Sequence, residues 1–259
     1  MAEISTQVAN RVQWNRFVQS SVSVNQADVE AELDQKYSSY DSYIDGLFAA
    51  LPEVLMARLE AMTVEMSQTE LELTEEMADD GRARDRRDAQ VGELRDRMYK
   101  GRGAVQTAFD EEAADEYGLA STPPSAPDDL LTFARNSMHL LEKNPRVEQD
   151  IFGNTVDTQK IVGALQSACD SLEQALQSVD EETRQAHAAR AKRDATVERW
   201  EQTYRGTAQV LSGLYLLAGR PDLAERVRPT MRSSQGKAEP PEAGDAPATG
   251  DDVVEPVEA

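Results

Sequence analysis

The chain has 259 residues, 29% charged, 39% hydrophobic and 5% aromatic, with a formal net charge of -21. That balance argues against nucleic acid or an anionic lipid surface as partner, since like charges repel and no counterions are released, and it favours a basic protein. It also describes a thin core spread over much surface, not a compact enzyme interior.

Residues 1–25 read as a flexible or docking arm. Ile4, Val8 and Val12 keep helical spacing, but the SSVSV run that follows favours extended chain through its β-branched residues. MAEISTQVAN has neither a basic start nor a continuous apolar stretch, so a secretory signal is not expected of it. No run of 18 apolar residues occurs, and the single Cys169 permits no intrachain disulfide. The cytoplasm is the compartment expected, with non-classical secretion left open.

A first helix is expected from the N-cap candidate Asn25 to about Leu51, with Tyr37, Tyr40, Tyr43, Leu47 and Leu51 on one face. Pro52 should close it and open a second helix, its fixed φ suiting a first turn. That helix, about 52–117, carries Leu55, Leu59, Met62, Met66, Leu73, Met77, Val91, Leu94, Met98 and Val105 at heptad-like spacing. Continuity across Gly81, Gly101 and Gly103 is an open point, each glycine costing about 1 kcal/mol against alanine. Gly118 is a C-terminal cap and 118–127 a linker. A short helix over 128–143 starts at Asp128 and Asp129, whose charges complement its dipole, and stops at Asn144-Pro145. Residues 144–154 read as loop.

The fourth helix, about 155–218, is the clearest element. One heptad line is Leu165, Leu172, Val179, Ala186, Arg193, Trp200 and Leu214; the other is Val162, Cys169, Leu176, Arg190, Val197, Tyr204 and Leu211. Gly219 caps it, and Pro221 and Pro229 bracket a short helix. Residues 230–259 hold almost nothing to bury and read as a disordered acidic tail. Arg220, Arg226, Arg228 and Arg232 cluster around that short helix and could serve as helix-end cations or dock an acidic surface, the tail included.

The two long segments define an all-α fold, an elongated antiparallel bundle or coiled coil whose sixty-residue helices would each run about 90 Å. Matching their midpoints puts Leu59 near Leu214, Leu73 near Trp200, Met98 near Leu172 and Leu176, and Phe109 near Val162. Their charged centres then meet, with Asp80 facing Arg190 and Arg193, and Arg84 and Arg87 facing Glu181 and Glu182. These seven residues are the candidate register and interaction site, because a slipped pairing would leave charges against leucines at several kcal/mol. A plain solvated stretch is the equal alternative.

No motif for catalysis emerges. His139 and His187 lack the Glu three residues earlier that a di-iron bundle needs, and two histidines with one cysteine make no ordinary zinc site. Cys169 on the heptad seam reads as core. No phosphate loop or nucleophile elbow is present. No catalytic residue, cofactor or metal is therefore expected. The reading is a non-enzymatic scaffold or adaptor, helical and self-associating, with protein partners that include a second copy. The alternative is an assembly-associated or secreted effector that meets a membrane or host surface through the N-terminal arm.

Overall fold

A computed structural model describes residues 5–37, 47–149, 153–237 and 240. Its elements in chain order are α1 (Thr6–Tyr37), α2 (Leu47–Ala108), α3 (Glu111–Glu116), α4 (Pro127–Lys143), β1 (Val147–Gln149), β2 (Thr155–Asp157), α5 (Thr158–Ala218), α6 (Pro221–Val227) and α7 (Met231–Ser234). The fold is all-α apart from one small hairpin. The chain divides into two compact units: unit 1 comprises Met1–Thr74 and Ala189–Ala259, and unit 2 Glu75–Ala188. Both α2 and α5 contribute to each unit, so each unit has its own antiparallel pair of long-helix segments.

In unit 1, α1 is built into the core. Val8, Trp14, Val18, Val22, Val29 and Leu33 are buried on one face against Leu59, Met62, Met66, Trp200, Tyr204 and Leu211. The SSVSV run is therefore helical: valines at i and i+4 fill a core groove, and burial worth about 1.5–3 kcal/mol per large aliphatic outweighs a weak β preference. Asn25 is not a cap but lies inside α1, its amide donating back to the Ser21 carbonyl at 2.8 Å. Contacts set the directions. Asn15 reaches Glu60 and Gln26 reaches Ala49, so α1 runs antiparallel to α2. Trp14 meets Tyr204 and Ser21 meets Tyr215, so α1 runs parallel to α5.

Of the helix expected from Asn25 to Leu51, residues 25–37 belong to α1, which starts at Thr6 instead, and residues 47–51 to α2; residues 38–46 lie outside the described residues. Tyr40 and Tyr43 lie outside the described residues, as do Ile4 and 241–259. Pro52 sits inside α2, near enough to its N-terminus that the missing N–H removes a single early hydrogen bond. The helix is continuous across Gly81, Gly101 and Gly103, and stops at Ala108. Asp110 then opens α3 by accepting the Ala113 N–H at 2.7 Å.

Unit 2 packs α3 and α4 against the α2–α5 pair. Leu94, Met98, Val105, Tyr117, Leu130, Leu141, Leu165, Cys169 and Leu172 share its core. Helix α4 follows the sequence closely: Pro127 in the first turn, Asp128 and Asp129 beside it, and Leu130, Leu131, Ala134, Met138 and Leu141 buried. The cap glycines Gly118 and Gly219 stand where expected, at φ 66° and 89°. The hairpin was not foreseen. Val147 pairs with Asp157 and Gln149 with Thr155, so β1 lies in what reads as a loop and β2 replaces the first three residues expected of the fourth helix, because three-residue strands are too short for a periodic signal.

The helix register differs from midpoint matching. In unit 1 the Trp200 indole donates to Thr63 at 2.8 Å, so its partner lies ten residues before the expected Leu73, about three turns away. Lys192 likewise meets Glu72 and Arg199 meets Glu65. Unit 2 shows the same offset: Thr183 donates to Asp80, and Arg97 to the Ala164 carbonyl. Equal segment lengths misled because both long helices begin elsewhere than the sequence suggests, and the packed aromatics and capped ends decide the alignment.

Candidate interaction site

The seven charged candidates do not form the facing pairs expected of them. In unit 2, Asp80 accepts Arg84 Nε at 3.1 and 3.0 Å and Thr183 Oγ1 at 3.0 Å. The Arg84 bond is the main reason the Asp80 carboxyl is held below its ordinary pKa; burial opposes it, and Thr183 and the Arg84 charge assist. Arg87 turns to its neighbour Asp88 at 2.7 Å. Glu181 is exposed and Glu182 half-buried, and neither meets Arg84 or Arg87. Local pairs, Asp80–Arg84 one helical turn apart and Arg87–Asp88 adjacent in sequence, stand in place of the long-range ones.

In unit 1, Arg190 is exposed and, among the described residues, has no ion-pair partner. Arg193 does join α5 to α2, but through Glu70: its Nε stands 3.5 Å from Glu70 Oε2, and its Nη1 3.2 Å from Asp194. Glu70 is 6% exposed, and its other oxygen accepts the Ser5 N–H at 3.1 Å. A buried carboxylate thus stands at the N-terminus of α1, where the helix dipole favours it, with a guanidinium behind it. The register role foreseen for Arg193 has a physical counterpart here with a different acid. Glu70 could have been found from its phase, one turn after Met66 and three residues before Leu73.

The larger polar constellation went unforeseen. Arg11, 3% exposed, lies over the Trp200 ring at 6.0 Å. Its Nη2 bonds Glu201 at 2.6 Å and its Nε the Ser234 carbonyl at 3.2 Å. Asn10 Nδ2 holds the Gly236 carbonyl at 3.0 Å, and Arg205 Nε holds Ser234 Oγ at 3.0 Å. Thr230 and Ser233 form a reciprocal capping box that shapes α7. Gly236 takes φ 65°, and any Cβ there would collide with the Gln7 carbonyl. Residues 231–237, read from sequence as the start of a disordered tail, are instead clamped between α1 and α5. The signal available was Asn10-Arg11 set among apolar residues in core phase.

Behind the clamp, Trp200 stacks on Tyr204 with centroids 5.0 Å apart at 9°. Burial raises the Tyr204 phenol above its ordinary pKa, with the Ser233 hydroxyl pulling it back. In unit 2, Cys169 is 1% exposed, and burial likewise raises its thiol, which makes it a packing residue and a poor nucleophile. A groove of about 490 Å³ opens between α2 and α5 of unit 2, with Ile161, Ala164 and Leu165 along it and Arg97, Lys100 and Lys160 at its edge. Arg97 is engaged by Glu93 and Lys100 by Asp96. Among the described residues no group of three or more His, Cys, Asp or Glu is placed to hold a metal ion, and no helix is long and apolar enough to cross a membrane.

Comparison with protein-family models, with curated proteins and with solved structures finds no match to this chain.

Proposed function

We propose that the protein is a non-enzymatic helical scaffold or adaptor whose partners are proteins, a second copy among them. The observation that carries this reading is the use made of buried polar groups. Asn10, Arg11, Thr63, Glu70 and Ser234 hold helix to helix or helix to the C-terminal segment. None of them lines the grooves found among the described residues, where a catalytic group would be sought. Buried polar groups with definite partners favour one alignment over its neighbours, which is what a spacing element needs. The strong acidity selects basic protein surfaces and lengthens the reach of that selection at low salt.

The alternative of a membrane-binding effector drew on a free N-terminal arm. Residues 6–25 belong to α1 and its core face, so that motive is lost. Self-association draws instead on the exposed apolar side chains of unit 1: Val54, Val210, Leu216 and Leu217 are 65%, 39%, 59% and 49% exposed. The test is a tagged pull-down from native lysate at low salt, with native mass spectrometry counting copies of the bait. A specific basic partner, or a defined oligomer, supports the reading. A monomer that captures nothing at any protein concentration overturns it.

A further inference from the structure

Charge is partitioned abruptly along the C-terminal part of the chain. Residues 226–237 contain Arg226, Arg228, Arg232 and Lys237 and no acid; residues 238–259 contain seven acids and no base. The clamp fixes the first of these stretches on unit 1 by bonds to Ser234 and Gly236, so its cations have defined positions. Arg232 and Lys237 are exposed and, among the described residues, have no ion-pair partner. Arg226 lies over the Phe17 ring at 5.8 Å. Arg228 touches Glu225 at 3.3 Å, with both side chains mostly in water. Arg220 stands apart from this set, its charge already satisfied by Asp222. In sequence between Arg228 and Arg232, Met231 is an apolar side chain that is 63% exposed.

We propose that this face of unit 1, made of Arg226, Arg228, Met231, Arg232 and Lys237, is the docking surface for the chain's own acidic segment 238–259, in the same molecule. Three observations select that occupant. The charges are complementary in a protein that otherwise repels acids. The segment follows directly on Lys237, the last cation of the surface, and Pro240 is half-buried. Its apolar residues, Val253, Val254 and Val257, sit among Asp251, Asp252, Glu255 and Glu258, which matches an exposed methionine that lies in sequence between Arg228 and Arg232. Each exposed ion pair is weak alone, worth about 0–1 kcal/mol. A tether of about fourteen residues has a root-mean-square reach of about 20 Å and holds the acids at an effective concentration in the millimolar range. Several weak pairs then act together. The consequence is an arginine surface that is covered while the tail is in place and offered to an acidic partner once a polycation draws the tail away.

The experiment uses the full chain with Cys169→Ala and a spin label at Val254→Cys, and reads methionine methyl signals by NMR. At about 0.01 M salt, where the Debye length is about 30 Å, the Met231 signal should be broadened and the buried Met66 and Met98 signals far less. At about 1 M salt, where it is about 3 Å, Met231 should recover. Combined Asp251→Asn, Asp252→Asn and Glu255→Gln, which leave the folded body untouched, should restore the Met231 signal at low salt. Arg226→Gln with Arg232→Gln should do the same. An unbroadened Met231 at low salt overturns the proposal. So does broadening that disappears when labelled protein is diluted with unlabelled protein, since the tail would then be docking on another copy.

Discussion

In unit 1 the Trp200 ring lies flat on Tyr204, its N–H bound to Thr63, with Trp14 edge-on and Arg11 above. The core of unit 2 is made by Leu94, Met98, Leu130, Leu141, Leu165 and Leu172, with Tyr117 its one fully buried aromatic among the described residues. The same two helices serve both cores, so the difference lies in what is added to them. Unit 1 receives α1 and the 221–237 segment, held by directional bonds. Unit 2 receives α3 and α4, held mainly by aliphatic area. Directional bonds specify one arrangement and fail sharply when a partner is lost; aliphatic contacts tolerate volume-conserving change.

The contrast can be broken most forcefully at the aromatic stack. Trp200→Ala should cost about 3–5 kcal/mol and remove the N–H that Thr63 Oγ1 accepts, while its own bond to the Leu59 carbonyl stays. Hydrogen exchange should show α1 amides losing protection while α4 amides keep theirs. Leu165→Met, by comparison, should cost less than about 1.5 kcal/mol in unit 2, measured by chemical denaturation. Equal loss of protection in both units from Trp200→Ala would mean that the two cores melt as one.

A smaller effect is expected at the clamp. Arg11→Ala takes the donor from the Ser234 carbonyl, at about 1–3 kcal/mol if that group stays buried, and the shorter of two donors from Glu201, which keeps Arg205 at 3.5 Å. Glu201 is partly exposed, and its share falls accordingly. Limited proteolysis at Arg232 should speed up in this variant before the α4 region becomes accessible.

Alkaline pH should separate the units more gently. The Tyr204 and Tyr215 phenols are both raised, burial being the first cause in each. A group whose folded pKa is raised contributes stability that is complete below its unfolded value and lost as pH climbs through the folded one. Unit 1 should therefore weaken as pH rises past the ordinary tyrosine range. Tyr204→Phe should flatten that loss in a thermal melt against pH. Unit 2 has the single raised phenol Tyr117, which the Arg146 charge pulls back.

The smallest change concerns Asp80. Thr183→Val should raise its carboxyl pKa part of the way toward normal, and Arg84→Gln should raise it further, because the Arg84 bond is the leading cause. The folded pKa is depressed, so the associated stability is present above the unfolded value and fades as pH falls through the folded one. Carboxyl NMR titration reads this directly, and an unmoved Asp80 in Arg84→Gln would remove the assignment.

Much of unit 2 was legible in the sequence. Pro127, Asp128 and Asp129 gave the start of α4, Asn144 its stop, and the spacing of Leu130, Ala134, Met138 and Leu141 its buried face. The heptads from Val162 to Leu214 gave α5 to within three residues at its start, and Gly219 its end. Unit 1 was less legible because its decisive contacts join residues far apart in the chain. Valines of low helix propensity form α1 only because Met66, Trp200 and Tyr204 cover them, and no local pattern announces that cover. Arg193 was picked out by its phase on the seam, yet its partner Glu70 depended on a register that periodicity leaves free to slide by whole turns.

The Asn10–Gly236 bond also bears on how the molecule comes off the ribosome. Its partners are 226 positions apart, and everything needed for unit 2 is synthesised between them. At about 5–20 residues per second, unit 2 has its complete sequence several seconds before Gly236 exists. Until α5 and the segment through Gly236 have emerged, α1 has only the early part of α2, with Leu59, Met62 and Met66, to cover its apolar face. A nascent-chain assay should find chaperones on residues 6–37 for as long as translation continues, and released once the segment through Gly236 has emerged.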